Sequence, residues 1–304
     1  MTKTGIVIAH QGVKIVVKSG DEQSAYPIKR NSNFVVGDNV NIENGCPVLL
    51  DRKNVLQRQT PYGLQTTAAN IDGVGIVIAH KPKVPSLFVD QIVMAAKIQN
   101  IKPFLIVNKI DVDTTRDSLR NSIAIFAETL PIVWVSAVSG EGLEDLKDLV
   151  KQLGRCILVG VSGVGKSSLL NALIGKSIQK TSITVDKDRH GQHTTSQSTL
   201  FPLDNGGELI DSPGVRDFSP PQLPENEIAR LFVSFDVVKD QECRFRNCLH
   251  ISEPGCVIRK AVNDNHITQE RYETYLQLLE NSKQSLLHRR SRQLLCNASS
   301  WKIY

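Results

Sequence analysis

Hydrophobic and polar positions follow two different rhythms along the chain. Up to about residue 66 the apolar residues come in short β-branched runs: Ile6-Val7-Ile8, Val13-Lys14-Ile15-Val16-Val17, Tyr26-Pro27-Ile28, Val40-Asn41-Ile42 and Pro47-Val48-Leu49-Leu50. Gly12, Gly20, Gly37-Asp38 and Asn44-Gly45 punctuate them. This spacing predicts five short strands joined by tight turns, which suit a small barrel of either the OB or the SH3-like type. Gln59–Thr67 is polar and reads as a linker. Farther on, compact apolar runs alternate with helical periods. Phe104–Val107, Ile132–Val135, Cys156–Val159, Leu200–Leu203 and Glu208–Ile210 read as strands. Leu143, Leu146, Leu149, Val150 and Leu153 fall on one face of a helix, and Ser168–Ile174 has helical spacing that stops at Gly175. Strands alternating with helices predict an open α/β sheet.

Polar residues that end those strands carry the chemistry, since ligands sit at the carboxyl ends of strands in such sheets. Gly160-Val161-Ser162-Gly163-Val164-Gly165-Lys166-Ser167, with Ser168 next, fits the phosphate-loop pattern between a strand and a helix. Backbone N–H groups there would meet phosphate oxygens, Lys166 would reach the β- and γ-phosphates, and the Ser167 hydroxyl would bind Mg²⁺. Asn108-Lys109-Ile110-Asp111 follows the strand Phe104–Val107. An aspartate there can accept two hydrogen bonds from the N1–H and 2-amino edge of guanine, which adenine cannot supply, so GTP and GDP are the expected ligands. Ser136-Ala137 ends the next strand and would support the base. Asp211-Ser212-Pro213-Gly214 fits D-x-x-G, with Asp211 holding Mg²⁺ through water and the Gly214 N–H sensing the γ-phosphate. In Gly191-Gln192-His193-Thr194-Thr195 a threonine is needed to reach Mg²⁺; Thr195 is preferred to Thr194.

Composition adds a soluble, moderately basic character. The 304 residues are 40% apolar and 22% charged, enough for two or three domains, and carry a net charge of +5. No apolar run approaches membrane-spanning length, and the first residues lack a basic-then-apolar leader, so a cytoplasmic protein is expected. Asn281–Tyr304 contains no Asp or Glu, against Lys283, Arg289, Arg290, Arg292 and Lys302, a tail suited to nucleic acid. Three of the six cysteines, Cys243, Cys248 and Cys256, lie within 14 residues with His250 among them. That set is a closed Zn²⁺ shell or, in an oxidising compartment, a source of disulfides. Arg244, Phe245 and Arg246 sit inside the loop it would form and could touch RNA. Cys46, Cys156 and Cys296 are isolated and read as small core or surface residues with no chemistry.

The order of the motifs is unusual. The guanine signature lies about 50 residues before the phosphate loop, where ordinary GTPases place it after. N-K-I-D, S-A, G-V-S-G-V-G-K-S, G-Q-H-T-T and D-S-P-G in this order resemble the circularly permuted GTPases of bacterial small-subunit ribosome biogenesis, the RsgA or YjeQ family. The resemblance implies a multi-domain protein: an OB-fold at 1–66, a permuted P-loop GTPase domain at 67–222, and a mainly helical zinc-binding domain at 223–304. It implies one Zn²⁺ per chain on Cys243, Cys248, His250 and Cys256, and a monomer that binds the 30S subunit and 16S rRNA late in maturation. It also implies hydrolysis stimulated by the 30S particle; the permuted run from the D-x-x-G switch through Pro220-Pro221 and Pro224 into the zinc segment leads us to expect release after hydrolysis. Val215 occupies the position after D-x-x-G where many GTPases carry a water-orienting glutamine, so slow intrinsic hydrolysis is expected. His193 is then the candidate to position water, with His190 a weaker second. An RNA-binding scaffold with a purely structural nucleotide pocket, or a GTPase of RNA modification or membrane signalling, are the competing classes.

Overall fold

The computed structural model describes residues 3–112, 114–175, 198–212 and 218–299. The chain forms two compact units, Met1–Val84 with Ala96–Pro220, and Pro85–Ala95 with Pro221–Tyr304.

The first unit begins with β1 (Lys3–His10), β2 (Lys14–Ser19), β3 (Glu22–Pro27), β4 (Asn39–Glu43) and β5 (Cys46–Leu49). β1 pairs antiparallel with both β2 and β4, β2 with β3, and β4 with β5. Alternation drives the fold: Ile15 and Val17 of β2 turn inward to Val7 and Val40, while Lys14 and Lys18 face water. The segment expected as a linker is instead a hairpin, β6 (Val55–Thr60) and β7 (Gly63–Ala69). Pro61 and Tyr62 make its turn, a proline-containing reversal that polarity alone does not separate from a linker.

Then come β8 (Gly73–Ile78), α1 (Ser86–Ile98), β9 (Lys102–Val107), α2 (Thr114–Ala127), β10 (Ile132–Trp134), α3 (Leu143–Leu153), β11 (Arg155–Val159), α4 (Lys166–Ile174), β12 (Ser198–Pro202) and β13 (Glu208–Asp211). Strands β10-β9-β8-β11-β13 run parallel in that order, and β12 closes them antiparallel. β8 is buried along its whole length, as a central parallel strand must be. Phe104, Ile106, Leu158, Leu169 and Leu173 pack one core with Leu146 and Val150 of α3. The sheet does not stop there: Ala9 and His10 of β1 pair with Thr199 and Ser198 of β12. Arg155, at the start of the strand that feeds the phosphate loop, donates to Glu208 at 2.8 Å, to Gly37 O at 3.2 Å and to Asn70 O at 3.3 Å. Gly37 has φ 93°, and a Cβ there would lie 2.1 Å from Ala69 O, so a glycine is required at this approach.

The second unit contains α5 (Glu225–Leu231), a 3₁₀ turn Val233–Val238, α6 (Val257–Asn263) and α7 (Gln269–Ser299). Phe232, Phe235 and Tyr275 stack their rings at its centre with Ile258, Leu278 and Met94. Met94 belongs to α1, most of which is part of this unit. No helix among the described residues is long and apolar enough to cross a membrane.

Candidate nucleotide site and metal centre

Parallel pairing brings the carboxyl ends of β8, β9, β10, β11 and β13 to one edge of the sheet, and the predicted motifs sit on those ends. Asn108 is nearly fully buried and bridges two loops: its Nδ2 donates to Val164 O at 2.9 Å, and its Oδ1 accepts from Ala137 N–H at 3.2 Å. Gly165 (φ 95°) must be glycine, because a Cβ would stand 2.4 Å from that same Nδ2. Lys109 adopts φ 67°, and its ammonium donates to Gly163 O at 2.7 Å and Lys81 O at 2.8 Å. These bonds tie the guanine signature to the phosphate loop despite the 50-odd residues between them. Ile110 turns into the core, and Asp111 is exposed with Oδ1 accepting from Ser136 Oγ at 2.6 Å. Ser136 in turn accepts from the Val138 and Ser139 N–H groups at 3.2 and 3.0 Å.

The loop Gly160–Gly165 leads into α4, whose first residue is Lys166. Lys166 Nζ donates to Gly160 O at 2.7 Å and Val161 O at 2.8 Å, so the ammonium is held over the loop. Ser162, Gly163, Ser167 and Ser168 face solvent, whereas Val164 is buried. Asp211 ends β13 beside β11, in register through Ile157 and Ile210, at the end of the sheet where β11 runs into the phosphate loop. A hydroxyl at the first turn of a helix and a carboxylate on the adjoining strand are the hard oxygen donors that Mg²⁺ takes. His193, Thr194, Thr195, His190, Gly214 and Val215 lie outside the described residues.

In the second unit Cys243, Cys248, His250 and Cys256 converge, their ligand atoms all within 4.8 Å of one another. His250 Nδ1 lies 3.6 Å from Cys243 Sγ and 3.3 Å from Cys256 Sγ. A tetrahedron with metal–sulfur bonds of about 2.3 Å and a metal–nitrogen bond of about 2.0 Å has N···S edges near 3.5 Å, so the donors fit zinc. Burial, and then the neighbouring thiols of Cys256 and Cys243, push the Cys248 thiol up to about 12. Burial likewise raises Cys256 and lowers His250, which keeps the imidazole neutral and able to ligate. At Cys248 and Cys256 thiolate is therefore disfavoured until a cation supplies the missing charge.

The sequence reading passed over the groups that hold this centre. His250 sits at φ 58°, with its carbonyl accepting from Tyr272 OH at 2.5 Å, and Leu249 O accepts from Tyr275 OH at 2.7 Å. Phe235 meets the His250 ring edge-on at 5.3 Å. Glu253 accepts from the N–H groups of Leu249, Ile251 and Ser252 at 2.8–3.0 Å. Partial burial raises its carboxyl, but those N–H groups outweigh it and bring Glu253 down to about 2. A Glu one to four residues from the donors it serves is a signal a sequence could have offered. Two tyrosines more than 20 residues away are not.

The family model described as RsgA GTPase matches residues 49–220, more than half of the chain. The chain belongs to the RsgA GTPase family. Relatives of that family agree over most of its length. The small ribosomal subunit biogenesis GTPase RsgA of Hamiltonella defensa is 37% identical, covering 90% of this chain and 83% of the relative. That of Pseudomonas fluorescens strain Pf-5 is 35% identical over 91% and 85%. A second model, described as a 50S ribosome-binding GTPase, matches residues 155–288. Among solved structures, YjeQ from Thermotoga maritima aligns with a TM-score of 0.69 at 27% identity, over 93% of this chain and 99% of that one. YloQ, described as a circularly permuted GTPase, aligns at 0.67 and 21% identity, over 94% and 96%, and shares the fold. As an RsgA GTPase, the chain is an enzyme that hydrolyses GTP on a circularly permuted P-loop fold.

Proposed function

We propose that this GTPase binds the 30S subunit and its 16S rRNA late in small-subunit maturation and leaves when GTP is hydrolysed. The observation that carries the reading is the Asn108–Val164 bond: it joins a guanine signature to a phosphate loop in permuted order, in a chain whose relatives are named for small-subunit biogenesis. Asp111 reads guanine while Ser136 and Ala137 steady it. Gly160–Ser168 cradle the phosphates, and the Lys166 ammonium exchanges neutral carbonyls for charged phosphate oxygens, the stronger acceptors. Ser167, Asp211 and Thr195 hold Mg²⁺, which neutralises charge on the β- and γ-phosphates; Gly214 senses the γ-phosphate, and His193 orients water.

Three parts divide the work: an OB-type RNA-binding barrel at 1–66, the GTPase domain at 67–222, and a zinc-binding domain at 223–304 carrying one Zn²⁺ and a basic tail. Arg244 lies over the Phe245 ring at 5.6 Å, and Phe245 is 40% exposed, a pairing suited to RNA bases and backbone. In this order of motifs the chain runs from Asp211 through Pro220-Pro221 and Pro224 into the zinc-binding domain, so loss of the γ-phosphate can act on that domain. The protein works as a cytoplasmic monomer. Co-sedimentation with 30S particles tests the reading: the chain pellets with them when loaded with a non-hydrolysable GTP analogue and stays in the supernatant with GDP. Equal pelleting in both states refutes the release step, and no pelleting in either refutes the partner.

A further inference from the structure

A cleft of 770 Å³ opens in the first unit between the N-terminal strands β1–β5 and their loops, the β6–β7 hairpin and the ends of β12 and β13. That volume lies within the roughly 300–1,000 Å³ of small-ligand sites. It is distinct from the nucleotide site, because neither the phosphate loop nor Asn108–Asp111 lines it. Arg30, Arg52 and Arg58 line it, and among the described lining residues there is no Asp or Glu. Buried Asp38 stands behind Arg52 and accepts from it at 2.6 and 2.9 Å, so one of the three charges is compensated. That ion pair also fixes the Arg52 guanidinium. Arg58 is steadied by Gln65 Oε1 at 2.8 and 3.1 Å, an acceptor that leaves its charge in place, and Arg30 is exposed.

The floor of the cleft has a feature the fold does not account for. Thr67 is 7% exposed, and its hydroxyl has no hydrogen-bond partner; the Ser32 hydroxyl, also in the lining, has none either. Neither hydroxyl is used by the protein itself, so packing alone gives no reason for threonine in place of valine at residue 67. Phe34 and Leu64 supply apolar surface nearby. Cationic rim, apolar wall and two waiting hydroxyls are the complement of a phosphate joined to a sugar and a base.

We propose that this cleft receives one nucleotide of a single RNA strand, its phosphate against Arg30 and Arg58 and its sugar or base on Thr67 and Ser32. A duplex could reach the rim arginines but could not send a nucleotide to the floor, whereas an unpaired strand can turn one inward. Ser212, the neighbour of Asp211, forms part of the wall, so the bound strand touches the chain beside the magnesium carboxylate. The proposal rests on the reading that the protein binds ribosomal RNA, and it names where one strand enters.

The test uses the full chain, a fluorescently labelled single-stranded RNA of mixed sequence, and anisotropy over a salt series. Thr67→Val is isosteric and removes a hydroxyl with no partner. It should weaken RNA binding about fivefold or more, the scale of one lost hydrogen bond, while leaving the melting temperature unchanged or higher. Arg30→Ala with Arg58→Ala should weaken binding about tenfold and lower the slope of log K against log salt by about 0.7–1.4, for one or two phosphate contacts. Inorganic phosphate should compete no better than chloride at equal ionic strength. Selective displacement by phosphate would mean that the cleft serves the free anion, and the RNA assignment would fall. Unaltered RNA affinity in both variants, with 30S co-sedimentation intact, removes the cleft and leaves the ribosomal reading standing. Failure of the unaltered chain to bind either RNA or 30S particles removes both.

Discussion

Asp90→Ala should strongly destabilise the second unit. Asp90 is 0% exposed and accepts from both amino groups of Arg271, at 2.7 and 2.9 Å. The guanidinium, itself 8% exposed, spends its Nε on Ser234 Oγ at 2.8 Å and lies 4.6 Å from the Phe232 ring centre. Alanine removes this carboxylate and its two acceptor oxygens but leaves the cation buried. Ser234 is neutral and a ring face is worth about 1–2 kcal/mol, so neither replaces a carboxylate. Breaking a buried pair from one side costs about 3–5 kcal/mol. Because the two units need not unfold together, a single melting temperature is the wrong readout. Hydrogen exchange of the amides in α1 and in α7 near Arg271 reports the local opening directly. At 1.36 kcal/mol per decade, exchange there should speed up by roughly 10²- to 10³-fold or more. The paired change Asp90→Leu with Arg271→Met should recover most of the loss. An effect of Asp90→Ala below about 1 kcal/mol, the scale of a solvated pair, would show that water screens the site and that the burial argument is wrong.

The remaining expectations concern the two chemical centres. Asp111→Asn should weaken GTP binding by about 1–3 kcal/mol and shift preference toward xanthine nucleotides, measured by titration with both; equal GTP affinity would contradict the guanine assignment. Cys248→Ser should lose the zinc detected by elemental analysis of purified protein and render the C-terminal third protease-sensitive, because metal binding is coupled to folding. Glu253 is held at about 2 against an ordinary 4.5, so it stabilises the loop between Cys248 and Cys256 fully above 4.5 and loses that contribution as pH falls toward 2. The denaturation midpoints of Glu253→Gln and the parent should therefore differ at pH 7 and converge on acidification; a gap that widens would reverse the sign. His193→Ala should cut 30S-stimulated turnover about 10²-fold with little change in GTP affinity, and wild-type turnover would leave the orienting group unidentified.

What the sequence made legible and what it hid divide along one line, the distance over which the information acts. The phosphate loop is readable because strand, glycines and helix start are contiguous, and the zinc set because four ligands fall within 14 residues. The hairpin of β6 and β7 was missed because Thr60-Pro61-Tyr62-Gly63 looks alike as a turn or a linker, and its pairing depends on Val55 meeting Ala69 across the turn. Helix α1 is harder still. Val89, Ile92, Val93, Met94 and Ala96 are all nearly or fully buried, so its apolar pattern wraps around the helix and names no partner. Asp90, in the midst of them, was the local sign: a carboxylate in an all-round apolar helix has to find a cation. The cation is Arg271, 181 positions along the chain, and only the fold could supply its address. The same holds for Ala9 beside Thr199, which extends the GTPase sheet into the N-terminal strands through backbone bonds that leave no mark on side-chain pattern. A permuted chain concentrates such long connections, since segments contiguous in an ordinary GTPase are split between its two ends. Its motifs therefore declare the chemistry early, while the contacts that hold each unit together appear only in three dimensions.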